Sequence, residues 1–323
     1  MSGEIHLRAN AKNDEIAAMD ERTTTREILN RTNEVLLRRF GRIAIPALVA
    51  GFLSYWLAWG FSRVQHWLAY ALWRDAHGNV DAAIRAAVIP GAVLRLVSLA
   101  VTVLLWSVAF AAVSQVVIAD RQGEDASPGH AYARLASEPG WASLLWRLCW
   151  RLAIPGFLLM TIVAGPVGYW LLKSMHVPFD TAAGRLESEI LSVLLFGIPY
   201  LLYVRHLTLA IPLPVVAGES PIDPLRASAE ASKPWRTAII VACLLVLGSS
   251  NLADLHLAPM LLRPELIQPT MTASYLVWIF VSLASSLLWA WLFVFLTEIA
   301  MAESPAGEGA PEFPADPAVV PNS

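Results

Sequence analysis

Long apolar stretches separated by short polar segments dominate this chain from residue 43 to residue 300. A helix that crosses about 30 Å of hydrocarbon needs roughly 20 mostly apolar residues. The stretches that meet this length are Ile43–Phe61, Ile89–Ala119, Leu144–Leu172, Ile190–Val216, Thr237–Leu255 and Ala273–Ala300. Some exceed the minimum, which is typical of tilted helices or of helices that continue into the interface. The pattern predicts an all-α polytopic membrane protein with about six transmembrane helices.

A further apolar stretch, Val64–Leu72, is too short to cross a bilayer. It contains Trp67 and Tyr70, and amphipathic aromatic rings gather where hydrocarbon meets the lipid headgroups. We therefore expect this stretch to lie in the interface, outside the first span.

Lys and Arg are distributed unevenly between alternate loops, and this distribution predicts the orientation of the spans. The segment before residue 43 contains eight, and the regions 120–151 and 205–236 contain four each. The intervening loops contain three, two and one, and the C-terminal tail contains none. Because cytoplasmic loops carry the excess of Lys and Arg, we expect both termini in the cytoplasm and the protein in a bacterial inner membrane.

A short segment with the features of a helix start precedes each odd-numbered span. Thr24 and Glu27 have the spacing of a capping box. Ser127 and Ser220 are each followed by Pro, which fits the first position of a helix because its missing N–H has no partner there. Thr24, Ser127 and Ser220 are therefore predicted helix caps.

The segment behind the first cap has the pattern of an amphipathic interfacial helix with basic flanks. Its apolar positions at helical spacing are Ile28, Leu29, Val35, Leu36 and Phe40. The chain then divides into three units of one interfacial helix plus one transmembrane hairpin, at about 24–119, 120–217 and 218–301. The alternative is that cap-like residues precede the apolar stretches by coincidence. Residues 1–23 are predicted to be a flexible tail and residues 302–323 a disordered tail rich in Pro and acidic residues.

Composition agrees with the membrane assignment: 56% of the residues are hydrophobic and 15% are charged, against about 25% charged in a typical soluble domain. The net charge of −3 and the lack of a basic tract exclude nucleic acid as the expected partner. Membrane lipids are the expected partners, with a protein partner or a second copy of the chain as further candidates.

The stretches Arg205–Pro212, Gly218–Ser228 and Thr24–Phe40 carry a family resemblance. They resemble the bacterial glycerophosphoryl diester phosphodiesterase membrane-domain-like family. Its members have six membrane helices, an Arg in a span, a Pro before the loop, an acidic-Ser-Pro start and an Ala-Leu-x-x-Ser helix. The chain departs from that pattern at Pro224, where Ala is usual, and at Ala217–Glu219, where the family has Glu-Gly. The resemblance implies a six-helix membrane domain. It does not imply phosphodiesterase activity, because the His-Arg-Gly signature of the separate catalytic domain is absent.

Ionisable side chains inside membrane spans are costly and are functional candidates for that reason. The candidates for ligand or lipid-headgroup binding are Arg95, Arg147, Arg151, Arg205 and Glu298. The alternative is a structural role. Arg147, Arg151 and Glu298 lie near a cytoplasmic end and can reach the interface or pair with each other, and Arg95 can reach the outer interface. Arg205 lies deeper in its predicted span, although Pro212 and Pro214 can end that span early.

No motif for catalysis or metal binding is present. The seven His are scattered, and there is no HExxH, GxSxG or phosphate-binding loop. We predict no catalytic residue, no metal and no cofactor. The leading interpretation is a non-enzymatic, lipid-interacting or partner-binding membrane module. The alternative is a small-molecule or lipid transporter, which Pro-Gly breaks in the spans, such as Pro155-Gly156, would favour.

Overall fold

The computed structural model describes residues 23–75, 79–124, 127–137, 140–159, 193–217, 223–252 and 271–303, with isolated positions between 161 and 191. Within these ranges the chain is helical and contains no strand. The helices are α1 (Thr25–Asp75), α2 (Val80–Arg121), α3 (Pro128–Ser137), α4 (Trp141–Leu158), α5 (Ile198–Val204), α6 (Pro212–Ala217), α7 (Pro224–Ala231), α8 (Arg236–Leu252) and α9 (Met271–Glu303). A π-helical turn, Val193–Gly197, leads into α5. Residues 1–22 and 304–323 of the predicted tails lie outside the described residues, whereas Ala302 and Glu303, predicted to begin the disordered tail, end α9.

Three of the described helices are long and apolar enough to cross a membrane. They are α1, the Ala86–Arg121 part of α2 and the Ile279–Glu303 part of α9. The pair α7 and α8 meets the same test as one unit that is bent by 99°. The described part of the chain therefore holds three candidate spans, or four with the bent pair, which is the composition of a membrane protein.

The fourth predicted span, Ile190–Val216, is not a continuous helix. Its described helix ends at Val204. The chain then passes through turns at Arg205–Ile211 and becomes helical again as α6. Pro212 and Pro214 disfavour helical geometry in the residues before them and lack the N–H that would continue the hydrogen-bond ladder. The break therefore follows from these two prolines.

Helix α1 is longer than the sequence pattern predicts. It runs for 51 residues, and only Arg39 departs from helical geometry, with φ −119° and ψ 24°. Val64–Leu72, which is predicted to lie in the interface outside the first span, is not a separate element, because it continues the helix of the first span to Asp75. Neither Gly nor Pro occurs between Phe61 and Asp75, so nothing in the local sequence ends the helix.

Short helices precede the long ones at the described positions where interfacial segments were predicted. The first part of α1 ends at the kink at Arg39, α3 ends four residues before α4 begins, and α7 meets α8 at the 99° bend. The apolar face of the first segment packs on protein, since Ile28 and Val35 are fully buried. Leu37 and Phe40 project outward instead and are 81% and 49% exposed.

Burial is concentrated at one end of the bundle. Helices α1, α2 and α9 pack against one another, and the core gathers where α1 begins and where α2 and α9 end. No described residue of α1 beyond Gly51, or of α2 before Ala100, is buried. We call the buried end the packed end and the other the open end. Large apolar side chains remain exposed along the helices toward the open end, among them Trp67 and Phe280. Lipid can cover such side chains in a membrane.

Small residues let α1 and α9 approach closely. Ala47 and Gly51 on α1 face Ser286 and Ala290 on α9, and all four are buried. A Cβ atom added at Gly51 would lie 3.0 Å from the Cβ of Ser286 and would also clash with its Oγ. This is the small-residue packing expected of membrane helices, which have no hydrophobic effect to bring them together in lipid.

We predict that Gly51→Ala destabilises the protein by about 1–3 kcal/mol, the usual cost of overpacking. Thermal unfolding in detergent, followed by the fluorescence of the 13 Trp, would measure it. Gly60→Ala on the same helix is the control, because a Cβ there meets nothing within 4 Å. The second change Ser286→Gly should restore part of the lost stability. Equal melting temperatures for Gly51→Ala and Gly60→Ala would contradict the proposed close approach.

Candidate functional site at the packed end

Asp120, near the end of α2, is held by two consecutive arginines of α1. Its carboxylate is 3% exposed and accepts hydrogen bonds from Arg38 Nη2 and, at 2.6 Å, from Arg39 Nε. Neighbouring residues on a regular helix point about 100° apart. The kink at Arg39 is the local change that accompanies the convergence of both side chains on one carboxylate.

Glu298, five residues before the end of α9, forms the second ion pair of this region. Its side chain is 1% exposed, and both carboxylate oxygens accept from Arg121 Nη2, at 2.8 and 2.9 Å. Arg121 Nε adds a third bond of 3.2 Å, and the charge of Arg31 also acts on this carboxylate. The interpretation that Glu298 pairs with Arg147 or Arg151 is therefore wrong. Arg121 reaches it because α2 and α9 end side by side.

Neutral hydrogen bonds join the same helices. Ser114 and Thr297, both fully buried, lie 2.9 Å apart and link α2 to α9. Trp291 Nε1 donates to Asn33 Oδ1 at 3.1 Å, and Trp235 Nε1 donates to Glu303 Oε1 at 2.7 Å. Every one of these contacts lies at the packed end, so the start of α1, the start of α8 and the ends of α2 and α9 form one connected region.

A serine of α7 stabilises the break between α5 and α6. Ser228 is fully buried; its hydroxyl donates to the His206 carbonyl at 2.8 Å and accepts from the Leu209 N–H at 3.1 Å. Thr208 donates to the Arg205 carbonyl at 2.9 Å. Backbone groups released by a broken helix must find partners in a water-poor environment, and these hydroxyls supply them.

Of the candidate residues predicted from the sequence, only Glu298 belongs to the ionic network. Arg95 is exposed on α2, 25 residues or about 37 Å from Asp120 along the helix axis. That separation exceeds the ~30 Å thickness of a hydrocarbon core, so Arg95 lies toward the open end. Arg205 lies at the break, partly buried, with its Nε 3.4 Å from Nε2 of His206.

Arg147 and Arg151 lie on the exposed face of α4, whose other face buries Leu148. The Arg151 backbone nevertheless has a structural role. Pro155 has no N–H to offer the carbonyl four residues earlier, and the hydroxyl of Tyr203 on α5 donates to that carbonyl at 3.0 Å.

Two of the three predicted helix caps form in the structure. Thr24 and Glu27 exchange the two hydrogen bonds of a capping box, at 2.8 and 3.3 Å, and Ser127 Oγ accepts from the His130 N–H at 3.2 Å. Ser220 lies outside the described residues. The described cap of α7 is Asp223, whose carboxylate accepts from the N–H groups of Leu225 and Arg226.

Asp120 and its two arginines are not among the candidate residues predicted from the sequence. The available signal was an acidic residue directly after the 31-residue apolar stretch Ile89–Ala119, a position where a carboxylate needs a partner. The identity of that partner could not be read from the chain, because Arg38 and Arg39 lie 82 and 81 residues away.

The region combines buried ion pairs with a surface that carries both basic and acidic side chains. The described residues contain no group of three His, Cys, Asp or Glu that could hold a metal. A separate cavity of about 180 Å³ lies between α1 and α9, lined by Tyr55, Trp56, Trp59 and Ile279. That lining is almost wholly apolar and does not include Arg205.

Comparisons with protein-family models, with curated proteins and with solved structures found no significant match to this chain. The resemblance to the phosphodiesterase membrane-domain-like family therefore stays an expectation.

We predict that Asp120→Asn lowers the free energy of unfolding by a few kcal/mol. Removing one partner of a buried ion pair costs about 3–5 kcal/mol, and the partial exposure of Arg38 and Arg39 reduces this. Glu230→Gln is the matched control, because Glu230 pairs with Arg226 on the exposed surface of α7, where such pairs contribute about 0.3–0.5 kcal/mol. Urea unfolding in detergent would measure both. Similar losses for the two variants would show that the Asp120 pair is not a stabilising contact.

Proposed function

We propose that this chain is a non-enzymatic, multi-pass protein of a bacterial inner membrane that binds anionic lipid headgroups with its packed end. In this proposal six spans form three units, each an interfacial helix plus a hairpin, and both termini lie in the cytoplasm. The observation that carries the proposal is the position of exposed basic side chains around the end where the helices converge. They are Arg26, Arg31 and Arg38 on α1, and Arg226, Lys233 and Arg236 around α7 and α8.

The buried ion pairs support this assignment. Asp120 and Glu298 are enclosed at the packed end, so their charges are directed inward to their arginine partners. The outward surface carries basic side chains, together with exposed carboxylates such as Glu34 and Glu230, next to exposed apolar side chains such as Leu37 and Phe40. A surface with basic and apolar groups side by side matches the boundary between lipid headgroups and acyl chains.

The aromatic residues of α1 support the position of the opposite interface. Trp56 and Trp59 lie 17 and 20 residues after Arg39, about 25–30 Å along the helix. Arg63 stacks over the Trp59 ring at 5.0 Å. Trp near a basic residue is the usual composition of a membrane–water boundary, and the distance matches one hydrocarbon core.

A transporter is the alternative. The feature that favours it is the break at Arg205–Ile211, since broken helices form solute sites in many transporters. It requires a solute pathway past Arg205, and the flux of an anion into proteoliposomes that depends on Arg205 would favour it over a lipid-binding role.

We predict that cysteine labelling will place the two ends of the bundle on opposite sides of the membrane. Ser127→Cys should react with a membrane-impermeant maleimide only when the cytoplasmic face is open, and Asn79→Cys, at the cap of α2, only from the other face. The native Cys149 and Cys243 are buried and give a low background. Reaction of both variants from one side would contradict the proposed topology.

We predict that the triple variant Arg26→Gln, Arg31→Gln, Lys233→Gln retains less phosphatidylglycerol. Each basic residue near an anionic surface contributes about 1 kcal/mol, so affinity at low salt should fall about tenfold to 100-fold. Native mass spectrometry of the full chain would count retained lipids, with phosphatidylcholine as the neutral comparison.

The control for that experiment is Arg63→Gln, Arg74→Gln, Arg95→Gln, which removes the same charge from exposed residues nearer the open end. It should keep the wild-type preference for phosphatidylglycerol. Equal retention by the packed-end variant and the wild-type protein would overturn the proposed function.

A further inference from the structure

A cationic group lies where the break after α5 meets the start of α8. Arg205 and His206 are adjacent in the turn, and Arg236 is the first residue of α8. The charges of Arg205 and Arg236 both act on His206. Among the residues that the structure describes, neither arginine forms an ion pair with a carboxylate, unlike Arg38, Arg39 and Arg121. The local charge is therefore positive and not compensated by the described part of the protein.

The backbone that carries this group is fixed. Ser228 bonds to the backbone of His206 and Leu209, and Thr208 bonds to the Arg205 carbonyl. On the other side, Trp235 is buried and anchored to Glu303, which sets the position of Arg236. A site whose backbone is ordered in advance binds its ligand without a further ordering cost.

Apolar surface begins directly beside the cationic group, on the side toward the membrane. Leu202 and Tyr203 are exposed within one turn before Arg205 on α5. Val241 and Leu245 are exposed on α8, five and nine residues after Arg236, and α5 and α8 are in contact. The chain thus presents a cationic group above a strip of exposed apolar side chains from two neighbouring helices.

We propose that Arg205, His206 and Arg236 bind the phosphate of an anionic phospholipid whose acyl chains lie along α5 and α8. Guanidinium groups bind phosphate oxygens in pairs, with short charge-assisted hydrogen bonds. The apolar strip selects a lipid over a free anion, because only a lipid covers both parts of the surface. This site deepens the proposed function and rests on it. It joins the α5–α6 region to the α7–α8 region, which the ionic network at Asp120 does not reach.

The experiment titrates the full chain in detergent with a short-chain phosphatidylglycerol at high salt. At about 1 M salt the Debye length is ~3 Å, so general attraction to the basic surface is screened, whereas direct arginine–phosphate contacts are screened much less. Arg205→Gln with Arg236→Gln should weaken binding at least tenfold. The control Arg63→Gln with Arg74→Gln removes two exposed charges nearer the open end and should leave the affinity unchanged. Arg205→Lys with Arg236→Lys should give an intermediate affinity, because Lys keeps the charge but not the paired geometry.

A second measurement uses the wild-type protein and so does not depend on the folding of a variant. A phosphatidylglycerol with a photoreactive group in its headgroup should crosslink to peptides that contain residues 205–206 or 236. Crosslinks confined to other peptides would overturn the proposal, as would an equal loss of affinity in the Arg63 and Arg74 control. Inorganic phosphate should not compete with the lipid; full competition would assign the site to a free anion and overturn the lipid. If Arg205→Gln with Arg236→Gln binds lipid at high salt as well as the wild-type protein, while the Arg26, Arg31, Lys233 variant loses phosphatidylglycerol at low salt, the proposed function stands and only this site is rejected.

Discussion

The two buried carboxylates at the packed end are the constraint on which the arrangement of the helices depends. A carboxylate taken out of water needs cationic partners and further hydrogen bonds to offset the cost of its lost hydration. Asp120 obtains them from the kinked part of α1, and Glu298 obtains them from Arg121 at the end of α2. Because each pair joins two different helices, the helices can satisfy the charges only if α1 begins where α2 and α9 end. That geometry also explains why burial decreases toward the open end, where no comparable contact joins the helices among the described residues.

Prolines within the helices create a second set of contacts between neighbouring helices. Each proline within a helix leaves a carbonyl four residues earlier without its usual donor, and in lipid such a group cannot turn to water. The Arg151 carbonyl receives the hydroxyl of Tyr203, and the turn before Pro212 receives Ser228 and Thr208. The breaks are thereby converted into contacts between neighbouring helices. In the second case the contact also fixes the position of a cationic group.

The distribution of charge connects these structural features to the proposed role. The two buried carboxylates, Asp120 and Glu298, turn inward to arginines, and other basic groups remain at the surface of the packed end beside exposed apolar side chains. The predicted interfacial helix contributes to both parts. Its apolar stripe at Ile28 and Val35 packs on the bundle, while Leu37 and Phe40 face outward. The surface at the packed end therefore depends on the folded protein, because the isolated interfacial helix would expose Ile28 and Val35, which the bundle buries.

The sequence by itself determined the properties that depend on neighbouring residues. The length of the apolar stretches predicted spans at α2 and α9, and the spacing of Thr24 and Glu27 predicted a helix cap. Pro212 and Pro214 indicated that the helix could end early, near Arg205. Each of these follows from backbone geometry over a few residues or from the thickness of a bilayer. Only the tertiary structure decided which charges meet. Glu298 pairs with Arg121, 177 residues away, and Arg236 approaches His206 because α8 begins beside the turn after α5. Such pairings depend on how helix ends are aligned in space, and the order of residues along one chain does not encode that alignment in any local pattern.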